Sequence, residues 1–182
     1  PSATGDDPMD EPGTKVLHEQ DVDYHSVCPT LVACLGEVKT WSDAHPDHVP
    51  IAINIQFKDG PLIFDVPDQA VPEKWTTEAM DGLDDEIRSV FDEDQIITPD
   101  DVRGSHATLE EAVRAKDWPT LGDSRGKVMF LMINPEPYRS IFLTQDGRDL
   151  AEQCRRRHRV VYGLLRAKGI LVVHGSGFGL PA

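Results

Sequence analysis

The sequence predicts an α/β fold in which helices cover a parallel sheet. Two segments, 50–59 (PIAINIQFKD) and 127–134 (KVMFLMIN), contain nearly continuous apolar runs, which is typical of strands buried on both faces. A helical pattern separates the first of them from an earlier short apolar segment, and about 30 residues for strand, helix and strand is the size of a βαβ unit. This alternation favours the α/β class.

The amino-terminal part supplies the first strand and helix of this prediction. Residues 1–14, rich in Pro, Gly and Asp, predict an exposed or disordered lead-in. KVLH at 15–18 is the first predicted strand. A helix is predicted from Pro29 to the break at Pro46, with apolar residues at helical spacing. These residues are Leu31, Leu35, Val38 and Trp41.

Two more helices are predicted between the strands at 50–59 and 127–134. The first carries apolar residues at helical spacing, namely Met80, Leu83, Ile87 and Val90. The second begins at a capping box of Thr108 and Glu111 and ends near Trp118. The long separation between the two strands predicts an insertion or a short further strand.

The end of the chain continues the alternation of helix and strand. An arginine cluster at 155–159 leads into a predicted helix carrying Val160, Val161, Leu164 and Leu165, and GILVVHG at 169–175 predicts a strand. Four strands in 182 residues are too few for a closed eight-stranded barrel, which usually needs about 250 residues. The chain is therefore expected to form part of such a fold.

Charge and hydropathy exclude some classes of partner. With 32 acidic and 18 basic residues the formal net charge is −14, which disfavours nucleic acid and anionic membranes. No run reaches the roughly 18 to 20 apolar residues of a transmembrane segment. Because the first residue is proline, the amino terminus is interpreted as processed or cut, and a signal peptide would have been lost with it.

Cys28 and Cys34 are six residues apart. On one helix they would lie nearly two turns apart, too far to form a disulfide, whereas a bridge becomes possible if Cys28 precedes the helix. Without a second ligand pair they do not form a zinc site. Buried small hydrophobes and a disulfide both stay open.

The predicted strands end in polar residues: His18, Gln56, Lys58 and Asn134. In parallel α/β folds the functional groups collect at the carboxyl ends of the strands. An imidazole can donate a proton to a leaving alkoxide near neutral pH, and a lysine can hold a phosphate oxygen. These side chains predict phosphoryl chemistry; the alternative is that they simply meet solvent.

Other polar residues lie near these strand ends or before the second strand. Asp21, Asp23 and His25 follow His18 closely, where the carboxylates would supply oxygen ligands or orient the imidazole; the alternative is turn formation. His45 and His48 precede the strand at 50–59, at its amino end, where a stabilising role is expected.

A family resemblance covers residues 8 to about 143. The segment EPGTKVLHEQDVDYHSVCPTLVACLGEVKTWSDAHPDHVPIAINIQFKD resembles the stretch of the calcium-dependent phosphoinositide phospholipase C family that runs from its second catalytic histidine into the next barrel strand. TPDDVRG, TLEEAV with WPTL, and RGKVMFLM follow in the family's order. The fold this implies is a partial (β/α) TIM-type barrel of the phospholipase C-like phosphodiesterase kind, incomplete at its N-terminus.

The resemblance also implies an activity. In such enzymes two histidines and a bound Ca²⁺ cleave a phosphodiester by attack of the inositol 2-hydroxyl, giving a cyclic inositol phosphate and diacylglycerol. His18 matches the second histidine, which would protonate the leaving oxygen or stabilise charge on the phosphoryl group. Lys58 matches a basic residue near the phosphate. A secreted monomer acting on phospholipid at a membrane surface is expected.

Several positions depart from the family pattern. The family's opening segment, with its first histidine and most calcium ligands, would lie before Pro1. Gln56 replaces a glutamate, and its neutral amide offers Ca²⁺ one oxygen without a charge. Ile133 and Asn134 stand where the family tends toward Asp-Asn. The resemblance stops near residue 147.

Three segments and three functions follow from this comparison. The segments are the lead-in at 1–14, a barrel portion at 15–147 and a divergent helix and strand at 148–182. Besides the phospholipase, we consider a noncatalytic remnant of the fold that binds a phosphorylated ligand weakly at most. A glycerophosphodiester phosphodiesterase, which has related barrel and metal chemistry, is the third alternative.

Overall fold

The protein contains a small parallel sheet packed against helices. The computed structural model describes residues 11–62, 67–107, 109–134, 137, 138 and 141, and the backbone of 161–163. The helices are α1 (Leu31–Ala44), α2 (Thr77–Val90), α3 (Pro99–Arg103), α4 (Leu109–Ala115) and α5 (Leu121–Ser124), with a 3-10 helix at Glu93–Gln95. The strands are β1 (Ile51–Ile55), β2 (Val128–Met132) and β3 (Val161–Gly163).

The three strands lie in the order β1-β2-β3 and are all parallel. In β1 and β2, Ile51 lies opposite Val128 and Ile55 lies opposite Met132. Ile96 adds an isolated parallel bridge to Val128. The α/β class predicted from the sequence is confirmed, while the described residues form an open sheet and not a closed barrel.

The main core lies on one face of the sheet, between β1, β2 and the helices α1 and α2. Its fully buried members are Leu35, Met80, Leu83, Ile87, Phe91, Ile96, Val128 and Phe130. Each buried side chain of this size contributes about 1.5–3 kcal/mol through removal from water. The core therefore holds the strand ends in place relative to the helices.

Burial of β1 on both faces, expected from its apolar run, is wrong for the described part of the chain. Burial along β1 alternates, and Ala52 and Asn54 are exposed. No described element covers this face of β1. On β2, by contrast, Met129 and Leu131 pack against a second small cluster formed by α3 and α4.

The helices α1 and α2 lie where apolar spacing predicts them. Thr30 and Thr76 cap their amino ends, each accepting a hydrogen bond from a backbone amide three residues later. The helix α4 ends at Ala115, before the predicted end near Trp118, because Lys116 adopts a left-handed φ of 59°. The predicted capping residue Thr108 lies outside the described residues.

The predicted strand at 15–18 is wrong. Lys15 forms only an isolated antiparallel bridge with Thr30, and the amide of Val16 donates to Pro29 O at 2.9 Å. These bonds to the chain just before α1 occupy the backbone groups that a strand would present to the parallel sheet. The segment therefore runs beside the start of α1.

Within the predicted helix at 160–165, residues 161–163 are strand β3. Their backbone pairs with Phe130–Met132 of β2, and the β-branched and aromatic residues of this segment favour a strand. The arginine cluster at 155–159 and the strand predicted at 169–175 lie outside the described residues.

Cys28 and Cys34 form a disulfide, with their Cα atoms 5.0 Å apart. This decides between the two alternatives for these cysteines. The bridge is possible because Cys28 precedes α1, which begins at Leu31, so that the two residues do not share one helical path.

Candidate active site

His18 lies in a loop before α1 and not at the end of a strand. An antiparallel bridge between Glu19 and Asp23 closes a turn over the residues between them. The Nδ1 atom of His18 lies 2.9 Å from Asp23 Oδ2, and the His18 side chain is 76% exposed. Because Nδ1–H donates to this carboxylate, Nε2 is the ring nitrogen that can exchange a proton with another group.

Lys58 joins this loop to the chain that follows β1. Its ammonium donates to His18 O at 2.6 Å and to Glu19 Oε2 at 2.9 Å. The ion pair is about one third exposed, so it contributes about 1 kcal/mol or less to stability. Its main effect is positional, because it places an ammonium beside the backbone of the histidine.

Asp21 helps to hold the same loop. It adopts a left-handed φ of 60°, and its Oδ2 accepts a hydrogen bond from Ala70 N at 2.7 Å. Gln20 adds bonds to the carbonyls of Gly60, at 3.2 Å, and Ala70, at 3.4 Å. The Asp21 carboxylate therefore supports a turn and a contact between loops.

Gln56 and Asn134, the two amide residues predicted for the site, lie in different environments. Gln56 is exposed just after β1. Asn134 instead bonds the backbone of Phe57 with both ends of its amide: Oδ1 accepts from Phe57 N at 2.6 Å and Nδ2 donates to Phe57 O at 2.8 Å. The site thus brings together His18, Asp23 and Lys58, while Asn134 binds main chain.

Asp59 and Tyr138 form a polar contact that the sequence analysis missed. The Tyr138 hydroxyl donates to Asp59 Oδ1 at 2.5 Å, and Trp75 N donates to Asp59 Oδ2 at 3.0 Å. Burial raises the pKa of Asp59, but these hydrogen bonds and the nearby Lys74 outweigh it and hold that pKa below its ordinary value. Burial and the bond to Asp59 raise the pKa of Tyr138 to about 12.

Glu19, the carboxylate partner of Lys58, was also missed. Glu19 adjoins His18 in the sequence, and Asp59 adjoins Lys58, so adjacency to a candidate was a usable signal for both. No local pattern marks Tyr138, which is 79 residues from Asp59 in the chain.

His45 and His48 lie before β1, at the opposite end of the strand from Lys58. The His45 ring stacks on Trp41 at 4.3 Å, and His48 Nε2 lies 2.7 Å from the buried Ser42 hydroxyl. The His48 carbonyl also accepts a bond from Gly126 N at 2.9 Å. These contacts connect the end of α1 to the starts of the strands, as a stabilising role requires.

The described residues do not by themselves fit a calcium site. Calcium takes six to eight oxygen ligands, usually with several carboxylates among them. Across the part of the chain that the structure describes, no three His, Cys, Asp or Glu side chains converge on a metal position. Gln56 offers one neutral oxygen, and the Asn134 amide oxygen already accepts from Phe57.

Comparison with known proteins gives a consistent set of similarities. A family model described as "Phosphoinositide phospholipase C, Ca2+-dependent" matches residues 1–154. The solved structure of a Ca²⁺-dependent phosphatidylinositol-specific phospholipase C from Streptomyces antibioticus has a TM-score of 0.53 at 27% identity, covering 73% of this chain and 41% of that one. A calcium-dependent phosphoinositol-specific phospholipase C from a Gram-negative Pseudomonas species has a TM-score of 0.49 at 26% identity, covering 72% and 40%.

No curated protein sequence matches the chain. The chain spans about two fifths of the length of the Streptomyces enzyme. The family model nevertheless covers well over half of this chain. The matched residues include the loop that contains His18 and the strands β1 and β2, which precede Lys58 and Asn134. The chain therefore belongs to the calcium-dependent phosphoinositide phospholipase C family.

Proposed function

We propose that this chain carries part of the active site of a phosphoric diester hydrolase that cleaves phosphatidylinositol-type phospholipids to diacylglycerol and a cyclic inositol phosphate. The observation that carries the proposal is that Asp23 bonds the His18 ring while the Lys58 ammonium, from the chain after β1, bonds the main-chain carbonyl of His18. Family membership supplies the reaction class, and these three side chains supply groups that the reaction needs.

The proposed roles follow from the bonds that form and break. The inositol 2-hydroxyl attacks phosphorus, its proton passes to a base, and the bond from phosphorus to the diacylglycerol oxygen breaks. That oxygen needs a proton as it leaves, and His18 in its imidazolium form, with both ring nitrogens protonated, can donate the Nε2 proton while Nδ1–H stays on Asp23. Lys58 would hold a phosphate oxygen as a point charge.

The surroundings of this site are part of the same proposal. We assign the chain to a TIM-type barrel, with residues 15–147 as its barrel portion and 148–182 as a divergent end, and we place it in a secreted monomer acting on phospholipid at a membrane surface. The disulfide supports secretion, because such bonds persist mainly in oxidising compartments. No helix among the described residues is long and apolar enough to span a membrane.

Gln56 is the candidate through which this chain would contact calcium. Its exposed amide supplies a single neutral oxygen, which makes it a weak ligand, and the remaining ligands would come from outside the described residues. Gln56→Glu adds a full charge at this position and is expected to tighten Ca²⁺ binding in calorimetry. An unchanged Kd would remove Gln56 from the site.

A noncatalytic remnant that binds a phosphorylated ligand weakly is the second candidate function. Two observations favour it. Within the described ranges no metal-binding cluster of His, Cys, Asp or Glu is formed, and the Lys58 ammonium is engaged by Glu19. A remnant would keep this fold and lack turnover.

The deciding experiment measures phosphatidylinositol hydrolysis with calcium and with chelator, and identifies the product. It compares this chain with a chimera in which the chain replaces the matching part of the Streptomyces enzyme. Calcium-dependent cyclic inositol phosphate from either protein supports the proposal, and His18→Ala should lower that turnover about 100-fold or more. A folded chimera without product favours the remnant, and a product without a cyclic phosphate favours the glycerophosphodiester phosphodiesterase.

A further inference from the structure

The backbone on either side of Lys58 is held by side chains from distant parts of the chain. Phe57, which precedes Lys58, is 3% exposed, and its amide and carbonyl both bond to Asn134. Asp59, which follows Lys58, accepts hydrogen bonds from Tyr138 and from Trp75 N. Both neighbours of the lysine are therefore anchored.

The aromatic rings complete this anchor. Trp75 packs on Phe57 with ring centroids 4.4 Å apart, and Tyr138 packs on Phe57 at 6.0 Å. Lys74 donates to Asp59 O at 2.5 Å. Hydrogen bonds and ring contacts thus converge on residues 57 and 59 from the segment before α2 and from the chain after β2.

Lys58 itself takes no part in this anchor. Its ammonium reaches away to His18 O and Glu19 Oε2. A lysine side chain has four rotatable bonds and about 2 kcal/mol of rotamer entropy, so a fixed backbone on both sides reduces the conformations that its ammonium samples. A point charge that is held in place binds an anion more tightly than one that is mobile.

We propose that Tyr138, acting through its hydrogen bond to Asp59, is a positioning residue that holds Lys58 for binding a phosphate group. The inference rests on the proposed function of Lys58 and adds to it a residue from the chain beyond β2. A tyrosine with a pKa of about 12 keeps its donating proton throughout the neutral range, as this role requires.

The test uses the full chain labelled with ¹³Cε-lysine, and inorganic phosphate as the probe at constant ionic strength. In Tyr138→Phe the ¹³Cε chemical shift of Lys58 should move toward that of free lysine. The Kd for phosphate should rise about threefold to tenfold, which is the loss expected for a charge-assisted hydrogen bond that acts indirectly. Lys39, which is paired with Asp43, provides an internal reference signal.

Two variants separate positioning from stability. Tyr24→Phe removes a hydroxyl from an exposed tyrosine and should change neither readout. Asp59→Asn keeps an oxygen acceptor for the Tyr138 hydroxyl and should retain most of the wild-type Lys58 signal. If Tyr138→Phe lowers the melting temperature but leaves the Lys58 signal and the Kd unchanged, Tyr138 is only structural and the inference fails.

The wild-type titration tests the proposed function separately. A Lys58 signal that does not respond to phosphate in the wild type refutes phosphate binding by Lys58, and with it the purpose assigned to Tyr138. A wild-type response that Tyr138→Phe leaves intact refutes only the positioning role. If Tyr138→Phe does not fold, Asp59→Ala replaces it, and an unchanged Lys58 signal in that variant overturns the inference.

Discussion

Asn134 should matter for stability, because its amide bonds main chain and does not point into the active site. Asn134→Ala removes the acceptor for Phe57 N, at 2.6 Å, and the donor to Phe57 O, at 2.8 Å. Each hydrogen bond of this kind contributes about 0.5–1.5 kcal/mol net. The two together predict a loss of about 2 kcal/mol in the free energy of unfolding.

For a domain of this size, a loss of about 2 kcal/mol lowers the melting temperature by about 4–8 °C. Urea unfolding and calorimetry measure the two quantities independently. Asn54→Ala is the matched control, because Asn54 is exposed on β1 and its loss should cost less than about 0.5 kcal/mol.

Asn134→Asp tests the direction of the two bonds. It keeps the shape of the side chain but places a second oxygen against Phe57 O, so the variant should be less stable than the wild type above about pH 4 and recover as the new carboxylate is protonated. If Asn134→Ala is as stable as Asn54→Ala, or Asn134→Asp shows no recovery in acid, the two bonds from Asn134 to Phe57 do not stabilise the fold.

Three further predictions concern the surroundings of the site. Replacing Cys28 and Cys34 by serine should lower the free energy of unfolding by about 2 kcal/mol through loop entropy in the unfolded chain, and an unchanged urea midpoint would contradict this. Glu19→Gln removes a carboxylate that competes for Lys58 and should tighten phosphate binding about twofold to threefold; an equal or weaker affinity in titration would contradict the competition. The pKa of Asp59 is lower in the folded state than in the unfolded state, where it is about 3.9. The contribution of Asp59 to stability is therefore complete above about pH 3.9 and is lost as pH falls through the folded-state pKa. Asp59→Asn should reduce the loss of stability in acid, measured by unfolding followed with circular dichroism.

The elements predicted correctly are those with strong local patterns. The apolar spacing in α1 and α2 records which residues face a core, and the apolar runs mark β1 and β2 as strands. The segments at 15–18 and 160–165 are short, and their structure depends on which partner their backbone meets. Lys15 pairs with Thr30 beside α1, and Val161–Gly163 pairs with β2.

The candidate site shows the same division. Residue type and position at or after predicted strands were enough to select His18, Lys58, Asp21 and Asp23 as candidates. The contacts among them could not be predicted from neighbouring residues in the sequence. The bond from Lys58 to His18 joins residues 40 positions apart, and the bond from Tyr138 to Asp59 joins residues 79 positions apart.

Local sequence patterns were sufficient to predict the α/β class, the main helices and two strands, and the family to which the chain belongs. These follow from apolar periodicity and from sequence motifs, both of which are local properties. Three contacts could be read only from the folded chain: Asn134 binds the backbone of Phe57, Cys28 and Cys34 form a disulfide, and Tyr138 donates to Asp59. Each of these depends on where folding places distant backbone and side-chain groups, since a hydrogen bond or disulfide forms only within a few ångströms.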